Sequence, residues 1–64
     1  MQIGKNIAML REKAGYTQET LSEKIDVSRS FLAHVEQGER SFSSYKLKIL
    51  ADYFGVPIEY FLED

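Results

Sequence analysis

Apolar residues recur along this chain with a period near 3.6, and no stretch alternates cleanly enough for a strand. Ile3, Ile7, Leu10 and Ala14 lie at i, i+4, i+7 and i+11, which predicts one face of a first helix. Gly15 stands where a left-handed stop is expected, and Arg11 and Lys13 in the last turn complement the helix dipole. Thr17 can cap a second helix, with Glu19 in its first turn and Leu21 and Ile25 inward. This helix is short, because Asp26 and Val27 interrupt it before Ser28, another capping residue. A third helix is predicted from Arg29 to about Gln37, with Leu32 and Val35 inward and Gly38 at its end. The segment GERSFSS that follows has strong turn composition. Ser43 or Ser44 caps a fourth helix, in which Leu47, Leu50, Ala51 and Phe54 share a face and which Gly55 stops. Pro57 suits the first turn of a short fifth helix whose apolar side is Ile58, Phe61 and Leu62.

Composition narrows the class. With 64 residues and 44% of them apolar, the chain predicts one small core and a single domain over 1–64. Zero cysteines and one histidine exclude a disulfide framework and leave no cluster for a structural metal, so no cofactor is expected. Stability must then come from tight helical packing, oligomerisation or both. The first ten residues, MQIGKNIAML, do not read as a signal peptide, and no apolar run is long enough to span a membrane. Together with the absence of cysteine, this predicts a cytoplasmic location. The net charge of −2 argues weakly against nucleic acid, but it is unevenly spread. Glu59, Glu63 and Asp64 are the acids of residues 57–64, which hold no base; residues 1–56 carry 8 basic against 7 acidic side chains, a net +1. A binding face answers to local charge, so the whole-chain value decides little.

The second and third helices are joined by only a few residues, which forces a steep crossing and a helix-turn-helix geometry. Arg11, Gly15, Thr17-Gln18, Leu21, Val27-Ser28, Leu32, Glu36 and Gly38 read as R-x3-G-x-TQ-x2-L-x5-VS-x3-L-x3-E-x-G, and L-A-x2-F-G-V follows from Leu50 to Val56. In this combination the chain resembles, over essentially its whole length, the helix-turn-helix domain of phage repressor and Cro proteins, the xenobiotic-response-element family. The resemblance implies an all-α, compact five-helix bundle of the lambda-repressor type, with the helix-turn-helix formed by helices 2 and 3. One departure is Asp26, where the family usually has Gly; the position requires a positive φ, which Asp tolerates less well than Gly. The family also favours Ala after the first helix-2 leucine, where this chain has Ser22, and a small residue after the helix-3 apolar position; Ser22 and Ala33 keep both positions small.

An α-helix fits the DNA major groove, and its N-terminal residues meet base edges. With Leu32 and Val35 inward, the third helix presents Arg29, Ser30, Ala33, His34 and Gln37, with no acid among them. Arg29 suits a bidentate contact to guanine O6/N7, Ser30 a base or a phosphate and Ala33 a thymine methyl, and His34 can donate to a base or a phosphate. The resemblance places base contacts at Arg29, Ser30, Ala33 and His34, and places Gln18 near the DNA backbone. Thr17, Gln18 and Ser28 sit at helix starts, where free N–H groups attract phosphate; Arg40 and Ser43, with Ser41 and Ser44, form a second expected phosphate clamp. Phe31 is read as closing the core edge in preference to touching a thymine methyl. The resemblance further implies that Arg11 and Glu36 pair across the core, which removes both from the DNA site.

No cysteine nucleophile, glycine-rich phosphate loop or metal-spaced cluster supports catalysis, so the chain is not expected to be an enzyme, and no small-molecule ligand is implied. One helix reading about four base pairs selects a genomic site poorly, so a homodimer on a palindromic operator is expected. Ile49 and Tyr53 on helix four, with Ile58, Tyr60 or Phe61 on helix five, are its candidate interface; the same residues also read as a thicker core or scattered surface apolars. The expected function is a small transcriptional regulator, a repressor acting on double-stranded DNA. The competing reading is a protein-interaction module, such as an antitoxin whose main partner is another protein.

Overall fold

The computed structural model describes residues 3–62, and five helices account for most of them. They are α1 (Ile3–Lys13), α2 (Gln18–Lys24), α3 (Arg29–Glu36), α4 (Ser44–Phe54) and α5 (Glu59–Leu62). The all-α reading holds, with helix bounds within a residue or two of those expected from the sequence. Expectations that involve the Leu62 side chain, Glu63 and Asp64 lie outside the described residues.

Each helix begins and ends for a local chemical reason. Thr17, Ser28 and Ser43 have extended backbones, and their hydroxyls accept from the N–H groups of Thr20, Phe31 and Lys46. The choice between Ser43 and Ser44 therefore resolves to Ser43. At the other end, Gly15, Gly38 and Gly55 take φ values of 83°, 85° and 71°. Beyond each of them a backbone N–H reaches back five residues: Tyr16 to the Arg11 carbonyl, Glu39 to His34 and Val56 to Ala51. Asp26 does the same for α2 without being glycine. Its φ is 61°, and the Val27 N–H reaches the Ser22 carbonyl at 2.9 Å. Pro57 sits just ahead of α5, in a tighter turn closed by the Tyr60 N–H on its carbonyl.

The core is built from Ile3, Ile7, Leu21, Ile25, Leu32, Val35, Leu47, Leu50, Ala51 and Phe61, with Phe42 added from the α3–α4 loop. Two positions depart from the sequence reading. Ala14 is exposed, because α1 ends at Lys13 before the chain turns away at Gly15. Phe61, expected at a dimer interface, is fully buried: α5 packs against both α1 and α4 and drives this ring into the centre.

Phe42 was not assigned a role by periodicity, yet it is buried and stacks at 5.5 Å from Phe31, which is itself packed against the core edge. It pins the loop that carries Arg40 and Ser43. Gly4 is the other unforeseen feature. It lies inside α1, and a Cβ placed there would stand 2.1 Å from the Val35 carbonyl oxygen and 2.9 Å from that of Glu36. The absence of a side chain is what lets α1 meet the C-terminal turn of α3 backbone to backbone. Among the described residues no helix is long and apolar enough to cross a membrane.

Two substitutions should move stability in opposite directions. Gly4→Ala must push α1 away from α3 and should cost about 1–3 kcal/mol, the usual penalty of overpacking. Asp26→Gly relieves a left-handed backbone and should add on the order of 1 kcal/mol, raising the melting temperature by roughly 4–8 °C. Thermal melts of both variants check this; a lower melting point for Asp26→Gly would mean that the aspartate side chain contributes more than its backbone costs.

Candidate nucleic-acid interface

The turn between α2 and α3 decides how the outer face of α3 is presented. The Ile25 N–H still bonds to the Leu21 carbonyl, Asp26 reverses the chain, and Ser28 starts α3. The Ile25 carbonyl would be one of the unpaired acceptors at the end of α2. It is taken by Lys46, whose Nζ donates to it at 2.8 Å from the first turn of α4. This half-buried lysine therefore fastens the turn to α4, a role the sequence pattern does not reveal.

Leu32 and Val35 are buried, and Arg29, Ser30, His34 and Gln37 on the other side of α3 are exposed; Ala33 is half-buried between them. Arg29 lines a shallow depression together with Thr17, Gln18, Glu19, Tyr16 and Arg11, so the start of α3 and the start of α2 share one surface. Arg40 lies elsewhere. It lines a second shallow groove with Ser41, Glu39, Gly38, Ile3 and Gly4. The oxygens of Thr17, Ser28 and Ser43 are already engaged as caps, with Thr17 also donating its hydroxyl to that of Thr20 at 2.9 Å. What these three helix starts still offer an anion is their remaining backbone N–H groups.

Behind this surface stands a buried ion pair. Arg11 donates from Nε to Glu36 Oε2 at 2.8 Å and from Nη2 to Oε1 at 3.1 Å, a bidentate geometry. Its Nη1 donates to the Tyr16 carbonyl at 2.8 Å. Both side chains are nearly covered, at 11% and 6% exposed. The hydrogen bond to Glu36 is the main cause that raises the Arg11 pKa; the neighbouring acid charges add to it and burial opposes it. Gln18 completes the group by donating from Nε2 to Glu36 Oε1 at 2.9 Å. The glutamine expected to face the DNA backbone thus has its amide oriented from behind by the same carboxylate.

Two further contacts alter the picture of the surface. His34 Nδ1 lies 2.6 Å from Glu39 Oε1, so an acid does border the exposed face of α3; it enters from the loop beyond Gly38, five residues on, where helical spacing could not show it. Of the residues read as a dimer patch, Ile49, Ile58 and Tyr60 are half-buried and Tyr53 is 39% exposed. The Tyr53 hydroxyl donates to that of Tyr16 at 3.0 Å, which raises its pKa above the ordinary phenol value, with burial adding to the effect. The described residues contain no group of three His, Cys, Asp or Glu side chains placed to hold a metal.

Two short helices joined by a tight turn, with the second offering an exposed polar face, define a helix-turn-helix protein. A profile of the helix-turn-helix family matches residues 7–61, and the chain belongs to that family, in its phage repressor and Cro-like branch. It is 32% identical over 62 residues to the HTH-type transcriptional regulator ImmR of Bacillus subtilis (strain 168), covering 97% of this chain and 49% of that protein. It is 31% identical over 58 residues to the competence pilus inhibition repressor of Acinetobacter baylyi (strain ATCC 33305 / BD413 / ADP1), covering 91% of this chain and 53% of that one. The chain thus spans about half the length of the curated relatives it matches.

The ion pair yields a test by double-mutant cycle. Arg11→Met leaves Glu36 buried without its main partner and should cost ~3–5 kcal/mol, enough to unfold much of a domain this small near room temperature. Replacing Arg11 and Glu36 together by apolar residues should be milder, read by urea denaturation. A double-variant loss equal to the sum of the two single losses, Arg11→Met and Glu36→Leu, would mean that the two side chains are not energetically coupled.

Proposed function

We propose that residues 1–64 act as one helix-turn-helix domain that binds double-stranded DNA sequence-specifically, as a transcriptional regulator working in the cytoplasm as a repressor. The observation that carries this reading is the exposure of Arg29, Ser30 and His34 on the side of α3 opposite buried Leu32 and Val35. Arg29 is long, cationic and at the helix start, which suits guanine in the major groove. Ser30 and Ala33 are small enough to let the helix approach. Thr17, Gln18 and Ser28 address the phosphates from one side, and Arg40 and Ser43 from the loop and the start of α4. The repressor and regulator names of the matched relatives support the same reading.

The eight residues of α3 span about 12 Å, the length of three to four base pairs. That is too little to single out a site, so the functional unit is a homodimer on a palindrome with half-sites ~34 Å apart. Ile49, Tyr53, Ile58 and Tyr60 form its interface; Phe61, being core, has no part in it.

Selection of bound duplexes from a random library tests the whole reading, by reporting motif, symmetry and half-site spacing together. Arg29→Ala should relax one base position at a cost of about 1–3 kcal/mol. Arg40→Ala should weaken all sequences alike and lower the slope of log K against log salt by about one. A flat salt dependence on a generic duplex would reject DNA as the partner and favour a protein.

A further inference from the structure

His34 and Glu39 form the one acid–base contact on the exposed side of α3 among the described residues. Their attachment has two points. Gly38, at φ 85°, turns the chain back so that the Glu39 N–H donates to the His34 carbonyl at 2.9 Å. The Glu39 carboxylate then meets Nδ1 of the same residue at 2.6 Å. The backbone clamp places the acid beside the ring, so this contact does not depend on two long side chains finding each other in solvent. The side chains remain 54% and 59% exposed, and an exposed pair contributes little to stability.

What the contact does determine is where the proton sits. An ionised carboxylate only accepts, so Nδ1 must carry the hydrogen. In the neutral ring, Nε2 then has a lone pair and no hydrogen. Burial of this face against DNA removes water and strengthens the Nδ1–H bond further. We infer that Glu39 is a positioning residue that makes His34 an acceptor-only reader, selecting a base with an exocyclic amino group, adenine N6 or cytosine N4, at its position in the major groove. Guanine O6/N7 and thymine O4 would face a second acceptor and are rejected. This inference rests on the DNA-binding reading above. It also explains why an acid stands beside a surface meant for phosphate: its carboxylate is committed to the ring.

The chain has a single histidine, so its imidazole nitrogens can be read without ambiguity by 15N NMR of the free chain at the pH of the binding assay. Wild type should show hydrogen on Nδ1 and a bare Nε2, and Glu39→Ala should shift the ring toward the Nε2–H form. A wild-type ring with its proton on Nε2, or on both nitrogens, overturns the inference. In competition binding with the four base pairs at the His34 position, wild type should prefer the amino-bearing base by roughly tenfold. Glu39→Ala and His34→Ala should each erase that preference, and the double variant should lose no more than either alone. If Glu39→Ala tightens binding to every sequence and leaves base preference intact, the glutamate only repels phosphate and the inference fails. Binding that distinguishes no duplex, with the NMR result as expected, would instead reject the DNA-binding reading and leave the proton placement standing.

Discussion

The bidentate Arg11–Glu36 pair is the contact on which the presentation of α3 depends. It ties the last turn of α1 to the last residue of α3, and through the Tyr16 carbonyl and Gln18 it also fixes the segment that leads into α2. Burying two charges is costly unless each finds its partners, and here one carboxylate receives donors from two side chains. The result is a rigid corner directly beneath the surface shared by Gln18, Thr17 and Arg29. Backbone contact at Gly4 seats the first turn of α1 on the same last turn of α3, so two unlike constraints, one ionic and one steric, hold that end of the helix against α1.

That corner shapes the electrostatics as well. Eight bases against ten acids make an unpromising total for a DNA binder. The structure places two acids where they do little harm: Glu36 is neutralised inside and Asp52 lies beside Lys48 on α4. Not every base is available either. Arg11 is spent on the ion pair and Lys46 on the Ile25 carbonyl. Counting charges along a chain cannot separate a cation that closes a turn from one that meets a phosphate, whereas a hydrogen-bond partner at 2.8 Å separates them at once.

Helix ends do double duty in a fold of this size. Capping hydroxyls on Thr17, Ser28 and Ser43 satisfy one N–H each, stabilise short helices that would not persist alone, and leave other N–H groups open to an anion. The left-handed residues at the opposite ends set the direction in which the chain departs. At Gly38 that direction brings Glu39 and Arg40 back over the end of α3, so a backbone angle decides which side chains border the proposed reading face.

Much of this was legible in the residues alone. The 3.6 period located the helices, the capping residues and the glycines bounded them, and the spacing of Arg11, Gly15, Thr17, Ser28 and Glu36 carried the family. Exposure of Arg29, Ser30 and His34 followed from placing Leu32 and Val35 inward. Local signals have a short reach, however. Phe42 lies in a loop without period, and its burial depends on Phe31 meeting it across the core edge. Gly4 reads as a helix weakness until α3 is seen against it. Phe61 reads as apolar, but a four-residue helix is too short to show whether that side meets the chain's own core or a second copy. Lys46 with Ile25, Gln18 with Glu36 and Tyr53 with Tyr16 join residues 18 to 37 positions apart. Periodicity reports which side of an element avoids water; only the packed chain decides which two elements that avoidance brings together, because the choice is made by shape and by unpaired polar groups that no single segment contains.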